Sequence, residues 1–124
     1  MHTHHVVFSL ALGLVVAGQA SRLPAQHQLY TFNGNSAYDE LGGAVSGAGD
    51  VDKDGYPDIV VGAVQVGGSL AGSARVYSGH DGRLLFTVLG DGPGDAFGHS
   101  VSGAGDVNKD GYDDVIVGAS QEFC

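Results

Sequence analysis

The chain has 124 residues, with 14 acidic against 5 basic side chains, a formal charge of −9 and 22 glycines. A surface so poor in Lys and Arg cannot track a phosphate backbone, which excludes nucleic acid as a partner class. Glycine at this frequency suits short strands and tight turns and argues against a helical bundle, and the single cysteine, Cys124, cannot form an intramolecular bridge.

The N-terminus differs in character from the rest. Val6 to Gly18 is apolar but too short to span a bilayer comfortably, and Gly18-Gln19-Ala20 places small residues ahead of a cut before Ser21. Residues 1–20 therefore read as a signal peptide, although the n-region Met1-His2-Thr3-His4-His5 lacks the usual Lys or Arg. Its histidines precede the cut and are not read as a metal site. Export to the cell surface, periplasm or medium follows, with no membrane span after cleavage. N-terminal sequencing of exported protein is expected to begin at Ser21 or within a few residues of it. A mature chain still beginning at Met1 in the cytoplasm would overturn this localisation.

Residues 21–27 read as a linker, and 28–124 as a repeat region. Gln28 to Phe32 is expected to be the outer strand of one sheet. Ala44 to Ala48, Asp58 to Val61, Ala74 to Tyr77 and Leu84 to Leu89 then form a complete four-stranded unit, and His99 to Ala104 and Asp114 to Val117 open the next. Breaker clusters separate them: Asn33-Gly34, Gly67-Gly68, His80-Asp81-Gly82 and Asp91-Gly92-Pro93-Gly94. No helical period survives after residue 25, so the mature chain reads as all-β.

Two stretches are nearly identical. Residues 39–63 read DELGGAVSGAGDVDKDGYPDIVVGA and residues 95–119 read DAFGHSVSGAGDVNKDGYDDVIVGA, at a constant offset of 56. Repetition at that length indicates a propeller or another modular array. Each copy carries oxygen side chains at alternate positions around one glycine: Asp50, Asp52, Asp54, Gly55, Asp58, and Asp106, Asn108, Asp110, Gly111, Asp114. Alternate residues of a tight loop turn their oxygens inward, and Ca²⁺ takes about six to eight oxygens at roughly 2.3–2.6 Å. The carbonyl of Tyr56 or Tyr112 serves position seven, and Asp58 or Asp114 closes the shell at position nine. Lys53 and Lys109 fall on the outward side. An EF-hand needs a bidentate Glu at position twelve and flanking helices. Val61 and Val117 stand there, inside β-branched runs that read as buried strands. Eight of the acids lie in 50–58 and 106–114, so bound Ca²⁺ would neutralise much of the net charge.

The Phe97-Gly98 pair, the DxDxDGxxD loop and the Gly118-Ala119 pair together resemble FG-GAP repeats, which build the β-propeller of integrin α subunits and of many secreted bacterial proteins. The first copy departs mildly, with Leu41-Gly42 and Gly62-Ala63. The resemblance covers roughly Tyr30 to Ala119. It implies blades of four antiparallel strands, with Ca²⁺ held at the hairpin joining the first two, and it carries no reaction. On that reading the chain encodes one complete blade and parts of two others. Propellers close with about four to eight blades, so the chain is expected to be a fragment of a longer product, with self-association as the alternative.

Competing readings of single residues are weaker. Asx side chains cap glycine turns without metal, but two copies with oxygens at ligand spacing favour the ion. Tyr56 and Tyr112 read as packing residues that lend a carbonyl, and Leu41 and Phe97 as core anchors. Asp95 and His99 are an unconvincing acid–base pair, since no nucleophile accompanies them and Gly43 replaces the histidine in the first copy. The expected role is a non-catalytic, calcium-binding extracellular module for adhesion, bracing or display to a protein or glycan ligand. Alternatives are an accessory domain of a polysaccharide- or lipid-degrading enzyme, and a dockerin-like assembly unit, against which the valine strands count.

Overall fold

In a computed structural model of the protein, residues 5–10, 27–35, 38–64 and 71–120 are described. Every regular element among them is a strand: β1 (His5–Leu10), β2 (His27–Asn33), β3 (Leu41–Gly49), β4 (Asp58–Ala63), β5 (Ser73–Tyr77), β6 (Leu84–Leu89), β7 (Phe97–Gly105) and β8 (Asp114–Ala119). They form a four-stranded meander, β3-β4-β5-β6, and two-stranded sheets β1-β2 and β7-β8, all paired antiparallel. The all-β expectation and the complete four-stranded blade are both found. Among the described residues no helix is long and apolar enough to cross a membrane.

The meander is covered on both faces, which explains the unbroken apolar run of its central strands. Successive side chains of a strand point to opposite faces. Ile59, Val61 and Ala63 accordingly pack with Leu41, Tyr77 and Phe32 of β2, while Val60 turns the other way to meet Ala48 and Val76, with Val101 of β7 and Val115 of β8 against them. Phe32 stacks on Tyr77 at a centroid separation of 3.9 Å. Leu41 is the core anchor expected of it, whereas Phe97 is only partly buried.

Two expectations are modified. β3 and β7 run longer than Ala44–Ala48 and His99–Ala104, because register shifts at Leu41/Ala44 and Gly47/Gly49, repeated at Phe97/Ser100 and Gly103/Gly105, let each strand bend and continue. β2 is paired with β1, which lies within the segment read as a leader, so cleavage at Ala20 would remove its partner strand. Residues 1–4 and 11–26 of the leader and linker, the Gly67-Gly68 breaker and Cys124 lie outside the described residues.

The two repeat copies share one backbone. Positive φ angles recur 56 residues apart at Glu40 and Ala96 (47° and 48°), Gly42 and Gly98 (97° and 93°), Gly49 and Gly105 (72° and 70°), Lys53 and Lys109 (61° and 60°), and Gly55 and Gly111 (88° and 89°). Glycine also sets how closely the copies dock. A Cβ on Gly98 would sit 2.3 Å from the Ser73 carbonyl oxygen, and one on Gly62 would sit 2.0 Å from that of Gly98. The Phe-Gly pair of the second copy thus beds onto the Gly-Ala pair of the first.

Candidate metal centre

Each acidic loop joins the first two strands of its sheet, β3 to β4 and β7 to β8. In the first loop the Asp54 amide donates to Asp50 Oδ1 (3.1 Å) and Asp52 Oδ1 (3.2 Å), and the Gly55 amide donates to Asp50 Oδ2 (2.9 Å). The Tyr56 amide donates to Asp54 Oδ1 at 2.9 Å, and the Val51 amide to Asp58 Oδ2 at 2.8 Å. The second loop repeats every bond: Asp110 to Asp106 (3.0 Å) and Asn108 (3.2 Å), Gly111 to Asp106 (2.8 Å), Tyr112 to Asp110 (2.9 Å) and Val107 to Asp114 (2.8 Å). Corresponding distances agree within 0.1 Å. The loop amides fix the side chains from within, so the oxygens are oriented by the backbone itself.

The donor set suits a hard cation. Asp50, Asp52 and Asp58 each offer an oxygen within 4.8 Å of the others. Two oxygens bound to one Ca²⁺ at about 2.6 Å lie no more than about 5.2 Å apart, so these fit within a single coordination sphere. All are hard oxygens, the ligand class Ca²⁺ and Mg²⁺ prefer. Partial removal from water raises the Asp52 carboxyl above its ordinary pKa; the Asp54 amide opposes this, and the Asp58, Asp54 and Asp50 carboxylates add to it. Asp110 moves down instead, chiefly because the Tyr112 amide donates to it, with Asn108 and the Lys53 charge assisting.

Several participants were not foreseen from the sequence. Asp58, buried at the start of β4, also accepts the Gly79 amide at 3.1 Å, tying the first loop to the β5–β6 turn. From that turn Arg83 comes within 3.7 Å of Asp52, and His80 lies 3.8 Å from Asp54 while stacking on the Tyr56 ring at 4.4 Å. Asp113 reaches across to the first loop: its Oδ2 accepts the Asp50 amide (2.9 Å) and its own amide donates to the Asp50 carbonyl (3.2 Å). Lys53 does lie outward, and its Nζ sits 4.2 Å above the Tyr112 ring. The available signal for Asp113 was the one loop position where YPD becomes YDD. As for Asp95, its carboxylate accepts the Gly92 amide at 2.8 Å, and His99 is exposed with its amide donating to the Ala96 carbonyl. That carboxylate closes a turn.

Comparison with known proteins agrees with this geometry. The family model for the FG-GAP repeat matches residues 41–78 and again 97–123. Similar proteins include integrin alpha-IIb of Homo sapiens, 41% identical over 91 residues, which are 69% of this chain and 9% of that protein. Integrin alpha-V of Gallus gallus is 36% identical over 104 residues, 74% of this chain and 10% of that one. Integrin alpha pat-2 of Caenorhabditis elegans is 35% identical over 94 residues, 69% of this chain and 8% of that one. The chain thus spans a tenth or less of the length of these relatives. With both matched segments falling on the two loop-bearing sheets, the chain belongs to the FG-GAP repeat family.

Proposed function

We propose that the chain is a calcium-binding part of an extracellular β-propeller that braces its blades with metal and displays loops for adhesion, without catalysis of its own. The observation that carries this is the set of five amide-to-side-chain bonds that recurs within both loops, with acidic oxygens gathered at ligand spacing in the first. Asp50, Asp52, Asp54, the Tyr56 carbonyl and Asp58 would hold one ion; Asp106, Asn108, Asp110, the Tyr112 carbonyl and Asp114 would hold the other. The ion supplies positive charge to carboxylates that otherwise repel one another in a turn that must stay tight for the strands to pair. The strand directly after each loop speaks against a helix-flanked, dockerin-like unit.

Further blades are part of this proposal. Val60 is fully buried against β7, whereas Ile116, its equivalent in the second copy, is 61% exposed. A following blade would cover Ile116 as β7 covers Val60. It would come from the rest of a longer chain or from a second copy.

Extracellular modules of this kind bind Ca²⁺ with Kd values of about 10⁻⁴ to 10⁻³ M. Ligand at ten times Kd then adds about 1.4 kcal/mol per site by mass action. EDTA is therefore expected to lower the melting temperature, and Asp54→Ala and Asp110→Ala each to remove part of the calcium-dependent gain. Calorimetry should show two sites, the first loop binding more tightly through its four carboxylates against three in the second. One site or none would contradict the loop assignment. Chelation that abolished ligand binding but left melting unchanged would contradict the bracing role.

A further inference from the structure

We propose that Asp113 couples the two loops, so that filling either one raises the Ca²⁺ affinity of the other. This rests on the calcium reading above. Asp50 opens the first loop as its position-one donor, and Asp113 holds it by both main-chain groups: the Asp50 amide donates to Asp113 Oδ2 at 2.9 Å, and the Asp113 amide donates to the Asp50 carbonyl at 3.2 Å. In the second loop, Asp113 sits between Tyr112, whose carbonyl is the position-seven donor, and Asp114, the position-nine donor. Any ordering of residues 112–114 by metal is thus transmitted to the first ligand of the neighbouring loop through two hydrogen bonds.

A second contact runs parallel to the first. Lys53 of the first loop lies over the Tyr112 ring at 4.2 Å. Its ammonium and terminal methylene fill the space where a Cβ on Gly111 would stand, at 2.4 and 2.8 Å. The clasp is specific to this junction. The residue equivalent to Asp113 in the first copy is Pro57, which has neither a carboxylate nor an amide hydrogen to offer.

Mutual repulsion between two bound cations works against cooperativity, so a net gain in affinity would have to come from this shared ordering. Linkage makes the effect reciprocal, and coupling between sites is typically about 5- to 150-fold. Only two hydrogen bonds carry it here, one accepted by the Asp113 carboxylate and one by the Asp50 carbonyl, and cation repulsion opposes them, which places the expectation at the low end, about fivefold.

The test is Ca²⁺ calorimetry on the full chain. Asp110→Ala isolates the first loop and Asp54→Ala the second. The product of the two wild-type association constants is expected to exceed the product of the two isolated-loop constants by about fivefold. Asp113→Pro, which gives the second loop the first loop's own residue, should bring that ratio to unity, and Asp113→Asn, which keeps both acceptor and donor, should preserve it. A purely structural role for Asp113 would shift the isolated-loop constants and leave the ratio intact. Amide exchange gives an independent reading: in Asp54→Ala, Ca²⁺ should slow exchange at Asp50, and in Asp54→Ala/Asp113→Pro it should not. A wild-type ratio of unity, or a ratio that survives Asp113→Pro, overturns the coupling while leaving two calcium sites standing. An absence of binding heat in the wild type overturns the calcium reading itself.

Discussion

Asp39→Ala is expected to destabilise the folded chain by about 3–5 kcal/mol, the range for stripping one partner from a buried ion pair. Asp39 is fully buried just ahead of β3, and its Oδ2 lies 3.2 Å from an Arg75 guanidinium nitrogen in β5 while accepting the Asn35 amide at 2.6 Å. Arg75 is itself only 6% exposed, in β5 of the meander, so truncating the acid leaves a largely buried guanidinium without this partner. The cost comes from that stranded charge more than from lost attraction, and two variants separate them. Asp39→Asn keeps an acceptor for the Asn35 amide and should lose less. Asp39→Ala/Arg75→Met removes both charges and should recover much of the loss, because apolar replacement of a whole buried pair is often neutral or better. Urea unfolding monitored at constant m-value checks all three. A loss below about 1 kcal/mol for Asp39→Ala, the range of a surface pair, would show that water reaches the site.

The sequence carried the strands and the loops because both depend on local chemistry that repeats. A β-branched run such as Ile59-Val60-Val61 specifies a strand, though not its burial. The equivalent Val115-Ile116-Val117, expected to be buried, leaves Ile116 61% exposed because no further sheet packs on it among the described residues. Alternating oxygens about Gly55 specify a tight turn whose amides bond its carboxylates. What it could not show were contacts between residues far apart in the chain whose types have many uses. An aspartate such as Asp39 carries no distinctive signal until Arg75 of β5 is brought to it across β4. Asp113 looked like one more loop acid, and only the neighbouring copy of the loop reveals its partner in Asp50. The same limit applies to His80 and Arg83: they read as parts of a turn, and the meander brings that turn beside the first loop. The extended ends of β3 and β7 were missed because Leu41-Gly42-Gly43 has the composition of a breaker, while the register shift lets the strand absorb it.

Gly62→Ala is expected to destabilise by about 1–3 kcal/mol or more, and the repeat supplies its own control. The added Cβ would lie 2.0 Å from the Gly98 carbonyl oxygen and 2.9 Å from its carbon, both backbone atoms of β7, so no side chain can rotate to make room. The clash has to push β4 away from β7 where the second copy docks on the first. At Gly118, the equivalent position, a Cβ would instead meet Ser100 Oγ at 2.2 Å, and a rotation about χ1 removes that contact. Gly118→Ala is therefore expected to be near neutral, or stabilising by up to about 1 kcal/mol through the smaller conformational freedom of its unfolded chain. Thermal unfolding of the two variants side by side decides the matter. A large loss at 62 with little at 118 identifies the glycine as the seat of the following blade. Equal losses would place the cost in the strand itself and remove the reason for glycine at this docking position.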